Sequence, residues 1–123
     1  MRRPERLAVT LREEIMEIVG YELEDPRLEA VTVTDVRVSE DMRDAKVYVV
    51  IEGDEKEISG AMRALHNAEK FVRTKVALNL NVNHAPHIHF VRDTVEEKAS
   101  RIDQILEEIK VTENGKLKVE NED

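Results

Sequence analysis

Two runs rich in β-branched residues, Val31-Thr32-Val33-Thr34-Asp35-Val36-Arg37-Val38 and Ala45-Lys46-Val47-Tyr48-Val49-Val50-Ile51, are separated only by Ser39 to Asp44. Such runs predict strands, and so short a connection predicts an antiparallel hairpin. In the second run Ala45, Val47, Val49 and Ile51 alternate with Lys46, Tyr48 and Val50, so one face is apolar. In the first, the valines change phase between Val33 and Val36, which predicts a β-bulge near Thr34 and Asp35. An isolated hairpin is at best marginal in water, so the rest of the chain has to cover that apolar face.

The flanking segments read as helices. From Pro4 onward, Leu7, Leu11, Ile15, Ile18 and Val19 recur at helical spacing, and Asp25-Pro26 ends the stretch. Ile58, Ala61, Met62 and Leu65 form one apolar stripe, and Ala68, Phe71, Val72 and Val76 form a second, with a possible break at His66-Asn67. Pro86 precedes a short strand, His87-Ile88-His89-Phe90-Val91, with Ile88 and Phe90 facing one way. Thr94 and Glu97 have capping-box spacing ahead of the stripe Ile102, Ile105, Leu106 and Ile109, and Asn114-Gly115 predicts its end. The expected order is helix, two strands, two helices, strand, helix. A crossover through helices makes the second and third strands parallel. This is an α+β fold, a three-stranded mixed sheet with helices on one face. At 123 residues the chain holds one domain, 1–110, followed by a polar tail at 111–123 that is expected to be mobile.

Composition narrows the chemistry. The chain has no Cys, which excludes disulfide scaffolds, thiolate metal sites and cysteine nucleophiles, and fits a reducing, cytoplasmic setting. No apolar run approaches the ~18 residues that would cross a bilayer, so no membrane role is expected. The net charge is −8, yet it is segregated. Residues 1–12 carry four Arg against one Glu, and residues 62–92 carry five basic side chains against one acidic, with all four His. The remaining segments are acidic. One basic face on an acidic body follows, and a partner responds to that local field rather than to the total.

No catalytic set is expected. Gly20, Gly53, Gly60 and Gly115 are isolated, so no phosphate-binding loop is present, and Ser39, Ser59 and Ser100 lie in no nucleophile elbow. His87 and His89 share a strand face and could hold a metal with His84 or Asp93, as in a small metal-dependent hydrolase. Two surface imidazoles are the simpler reading, and no metal, cofactor or small-molecule substrate is expected. Arg63, Lys70, Arg73 and Lys75, with Asn67, flank the central helices, and Arg2, Arg3 and Arg6 open the chain. These cations suit a nucleic-acid backbone. They equally suit an ordinary solvated helix surface, and spacing alone leaves both readings open.

Several spaced motifs carry a resemblance. Glu24-Asp25-Pro26-Arg27, Val31-Thr32-Val33-Thr34-Asp35-Val36, Val38-Ser39-Glu40-Asp41-Met42, Ala45-Lys46-Val47-Tyr48-Val49, Phe71-Val72-Arg73, Pro86-His87-Ile88-His89-Phe90 and Asp93 occur in order. Together they resemble the ribosome-binding factor A family from about Arg6 to Ile109. The resemblance implies a type II KH-like fold. It also implies a non-enzymatic, monomeric role at the small (30S) ribosomal subunit, through 16S rRNA, in late maturation and rRNA processing. RNA contact would then fall to Arg2, Arg3, Arg6, Arg63, Asn67, Lys70, Arg73 and Lys75. A KH-like protein-interaction or dimerisation module is the alternative. The family's Ala-x-Gly helix kink matches Ala68, Glu69 and Lys70, with Lys70 in place of Gly. Either the break is milder here or it moves towards His66-Asn67. Asn83 is a second departure, at a position that is often basic in the family.

Overall fold

The computed structural model describes residues 2–122, and the side chains of residues 2–109. Helix α1 (Arg3–Glu17) runs into one π-helical turn, Ile18–Glu22. Pro4 sits in its first turn, where the missing N–H is not needed, and the Glu5 carboxylate accepts from the Arg2 backbone N–H at 3.2 Å. The extra residue of the π turn brings both Ile18 and Val19 into the core. Asp25 is extended ahead of Pro26, as its position requires, and caps the short turn Pro26–Leu28. Its carboxylate accepts from the Arg27 guanidinium and from the Arg27 N–H. Those bonds hold the Asp25 carboxyl below the usual carboxylate range.

Strands β1 (Val31–Val38) and β2 (Asp44–Ile51) form the expected antiparallel hairpin. The register shifts between Val33 and Asp35, leaving Thr34 as the bulged residue. That extra residue puts Val33 and Val36 on the same buried face, as their phase predicts. The Thr34 hydroxyl donates to Asp93 Oδ2 at 2.7 Å, with the Tyr48 carbonyl at 3.2 Å as a second acceptor. In the connecting loop the Ser39 hydroxyl donates to Asp41, which also accepts from the Arg43 N–H, so the Asp41 carboxyl is lowered. Strand β3 (His87–Arg92) is parallel to β2 and closes a sheet of order β1-β2-β3.

Between β2 and β3 the structure departs from the expected order. Residues Glu55–Asn79 form one unbroken helix, α2, not two. Ala68, Glu69 and Lys70 lie inside it, so neither the family kink nor a break at His66-Asn67 is present. The physical reason is local. No Pro or Gly interrupts 61–79, and Lys is a good helix former where Gly would cost about 1 kcal/mol. The buried residues Ile58, Ala61, Leu65, Val72 and Val76, with half-buried Ala68, step by three or four throughout, so a straight helix buries all of them. Phe71 falls off that stripe and is 46% exposed, contrary to its expected inward position. Asp54 starts α2 with a capping box, its carboxylate accepting from the Glu57 N–H at 2.8 Å. Asn81, at φ 54°, ends it, and the Val82 N–H reaches back to the Ala77 carbonyl at 3.0 Å.

Helix α1 lies against β1, α2 lies against β3, and both cover one sheet face. Ala45, Val47, Val49 and Ile51 of β2 meet Ile88 and Phe90 of β3, Leu11 and Ile15 of α1 and Ile18 of the π turn in one apolar core. Burial of each large aliphatic side chain there stabilises the fold by about 1.5–3 kcal/mol. The chain divides into two compact units, Met1–Asp93, which holds this core, and Thr94–Asp123. The second unit is helix α3 (Val95–Glu122), whose first turn is capped by the Thr94 hydroxyl accepting from the Glu97 N–H at 3.0 Å. The helix runs past the end expected at Asn114-Gly115, and the side chains of the expected tail, 111–123, lie outside the described residues.

Candidate nucleic-acid interface

Continuity of α2 decides which of its cations act together. At about 100° per residue, Arg63, Asn67 and Lys70 share one face, and Arg73 lies close to it. Lys75 is turned about 140° from Lys70 and stands 4.0 Å from Glu22 of the π turn instead. The predicted set is therefore split along the helix.

The Asn67–Lys70 face borders a groove of about 400 Å³ between α2 and β3, lined by His66, Asn67, Lys70, Arg73, His87 and His89. Arg73 also lines a second groove of about 450 Å³, which continues past Asn83 to His84. There its guanidinium Nε–H donates to the Ala85 carbonyl at 3.0 Å, fixing the loop before β3. His84 in turn lines a third cleft, of about 490 Å³, whose other rim carries Arg3 and Arg6 of α1. Shared lining residues join the three into one path, from Asn67 and Lys70 through Arg73 and His84 to Arg3 and Arg6.

Among the described residues Arg3, Arg6, Arg63 and Lys70 make no ion pair, so their charges are open to a ligand. Arg2 is different, because its guanidinium pairs with Glu40 of the hairpin loop. Glu69, next to Lys70, is structural. Its carboxylate accepts from the Phe90 N–H at 2.7 Å, on the side of β3 away from β2, and from His66 Nδ1 at 3.1 Å. It thus satisfies an edge-strand donor that would otherwise face the groove unpaired.

The four histidines are the residues that spacing alone undervalued. His66, His84, His87 and His89 all line the path. Their clustering with Arg and Lys in residues 62–92 was the available signal. Nothing in the spacing showed that the middle of α2, the segment before β3 and β3 itself would bring them to one path. His89 Nε2 lies 2.9 Å from Asp44 Oδ1. Among the described residues no three His, Asp or Glu side chains converge as a metal site, and no helix is long and apolar enough to cross a membrane.

The chain resembles known proteins over most of its length. The model of the family described as ribosome-binding factor A matches residues 3–106. Ribosome-binding factor A of Desulfitobacterium hafniense is 41% identical over 111 residues, covering 90% of this chain and 89% of that protein. The protein of that description from Thermomicrobium roseum is 43% identical over 107 residues, 87% of this chain and 83% of its own length. Among solved structures, the crystal structure of ribosome-binding factor A from Thermus thermophilus superposes with a TM-score of 0.64 at 32% identity, covering 74% of this chain and 97% of that one. A Thermus thermophilus RbfA model fitted into a cryo-EM map of a 30S–RbfA complex gives 0.59 at 33% identity, over 68% and 88%.

Proposed function

The chain belongs to the ribosome-binding factor A family, and from that premise we propose that it is a non-enzymatic assembly factor for the small ribosomal subunit. In this reading it binds the immature 30S particle through 16S rRNA, as a cytoplasmic monomer, and assists late maturation and rRNA processing. It needs no cofactor, metal or small-molecule substrate. The observation that carries the reading is the path of adjoining grooves from Asn67 and Lys70 to Arg3 and Arg6, lined by Arg3, Arg6, Lys70 and Arg73, which make no ion pair among the described residues. A net charge of −8 is compatible with it, because the acidic side chains concentrate elsewhere in the chain. The relative fitted into a 30S complex supports the partner.

The test is co-sedimentation with purified small subunits across a salt series. Four phosphate contacts give a slope of log affinity against log salt of about −3 to −4. Binding that does not change between low and physiological ionic strength would remove the electrostatic interface. Equal sedimentation with large subunits would remove the stated partner.

A further inference from the structure

The cleft at the α1 end of the path differs from the grooves that follow it. It lies between the first turns of α1, the end of α2, the hairpin loop and the segment before β3, and encloses about 490 Å³, within the range of small-molecule pockets. Its walls are apolar: Leu7 of α1, Met42 of the hairpin loop, Leu80 and Val82, above fully buried Leu11 and Val76. Its rim carries Arg3, Arg6 and His84. Among the described residues no carboxylate lines it, and Glu40 of the hairpin loop is held by Arg2. The Thr10 hydroxyl is bonded back to the Arg6 carbonyl at 3.3 Å.

We propose that this cleft takes one unstacked base of the bound RNA strand, with Arg3 and Arg6 on its flanking phosphates. The proposal rests on the RNA-binding reading above and adds a site to it. An apolar hollow flanked by two guanidinium groups matches a nucleotide, which is flat and weakly polar at its base and anionic on both sides. Guanidinium planes also stack on bases, so Arg3 and Arg6 can serve both parts. Continuity with the next groove supports the same occupant, since Val82, His84 and Ala85 line both. A strand leaving the cleft therefore passes directly to Arg73 and Lys70. With Arg3 and Arg6 engaged by the phosphates, the apolar lining selects for the presence of a base rather than for its identity.

The test compares a short oligouridylate with a strand of the same phosphates carrying abasic riboses. The wild-type protein is expected to bind the base-bearing strand about tenfold more tightly. Thr10→Met fills the cleft with a non-aromatic side chain from an exposed position of α1 that lines neither of the other two grooves, so the fold and the rest of the path are retained. It should bind both strands alike, at the wild-type affinity for the abasic one. A second measurement uses the unmodified protein and an oligouridylate with one 2-aminopurine. Its emission should rise on binding, because the base leaves its stacked neighbours and no described Phe, Tyr or Trp side chain lines the cleft to quench it. Wild-type protein that binds both strands equally, or Thr10→Met that still discriminates, overturns the cleft while leaving RNA binding in place. Wild-type protein that binds neither strand, and no small subunit either, overturns the functional reading and the cleft with it.

Discussion

Lys70 and Lys75 are five residues apart on one helix, and the fold gives them opposite circumstances. Lys70 borders the α2–β3 groove beside Asn67 and Arg73, with no carboxylate paired to it among the described residues. Lys75 faces the other way, towards Glu22 in the turn that follows α1. The same division separates Arg3 and Arg6, which line a cleft, from Arg2, which is held by Glu40. A cation contributes to a binding surface only if folding leaves its charge uncompensated and aims it with the others. Proximity in sequence establishes neither.

The largest expected effect breaks the open side of this division. Arg63→Glu with Lys70→Glu should lower small-subunit affinity by about tenfold or more at low salt and flatten its salt dependence. Lys75→Glu should change it by far less, and comparable losses would erase the distinction. Next in size is Glu69→Ala, which leaves the Phe90 N–H unpaired in a half-buried position. Chemical denaturation should show a loss of about 1–3 kcal/mol. A smaller effect tests the continuity of α2 that separates the two lysines. Lys70→Gly should cost about 0.5–1 kcal/mol, since Gly in a helix interior loses backbone entropy. A gain in stability would instead place a strained kink there.

The smallest prediction concerns the hairpin loop. Hydrogen bonds from Ser39 and the Arg43 N–H lower the Asp41 carboxyl. A depressed folded-state value means its contribution is full above the unfolded carboxylate value and is lost as pH falls through the folded one. Asp41→Asn should therefore flatten the acid limb of a thermal-unfolding profile and leave its neutral region little changed in slope. An unaltered acid limb would show that this loop does not titrate with folding.

How far the residues alone could be read depended on whether the information was local. The valine phase located the bulge at Thr34, because a two-residue period must be reset physically wherever it breaks. Asp25-Pro26, the β2 alternation and the Thr94 cap were legible for the same reason. The steps from Ile58 to Val76 carry a local signal for one α2, but dividing them into two stripes at His66-Asn67 predicts two helices, and a family motif with a glycine kink predicts a break as well. In that conflict side-chain phase prevailed, since Lys70 lacks the freedom that makes glycine a hinge. Contacts across the fold left no local trace. Lys75 with Glu22, Glu69 with the Phe90 N–H and the convergence of the histidines each join segments distant in sequence.

The central claim, that RNA lies along the Asn67-to-Arg3 path, can be tested by site-specific crosslinking. The chain has no cysteine, so Asn67→Cys and Glu52→Cys each create a single attachment point for a photo-reactive group. Asn67 lines the groove, whereas Glu52 follows β2 in the acidic part of the chain. Bound to small subunits, the Asn67→Cys protein should crosslink to 16S rRNA strongly and the Glu52→Cys protein weakly. Equal crosslinking from both, or stronger crosslinking from Glu52→Cys, would contradict the account.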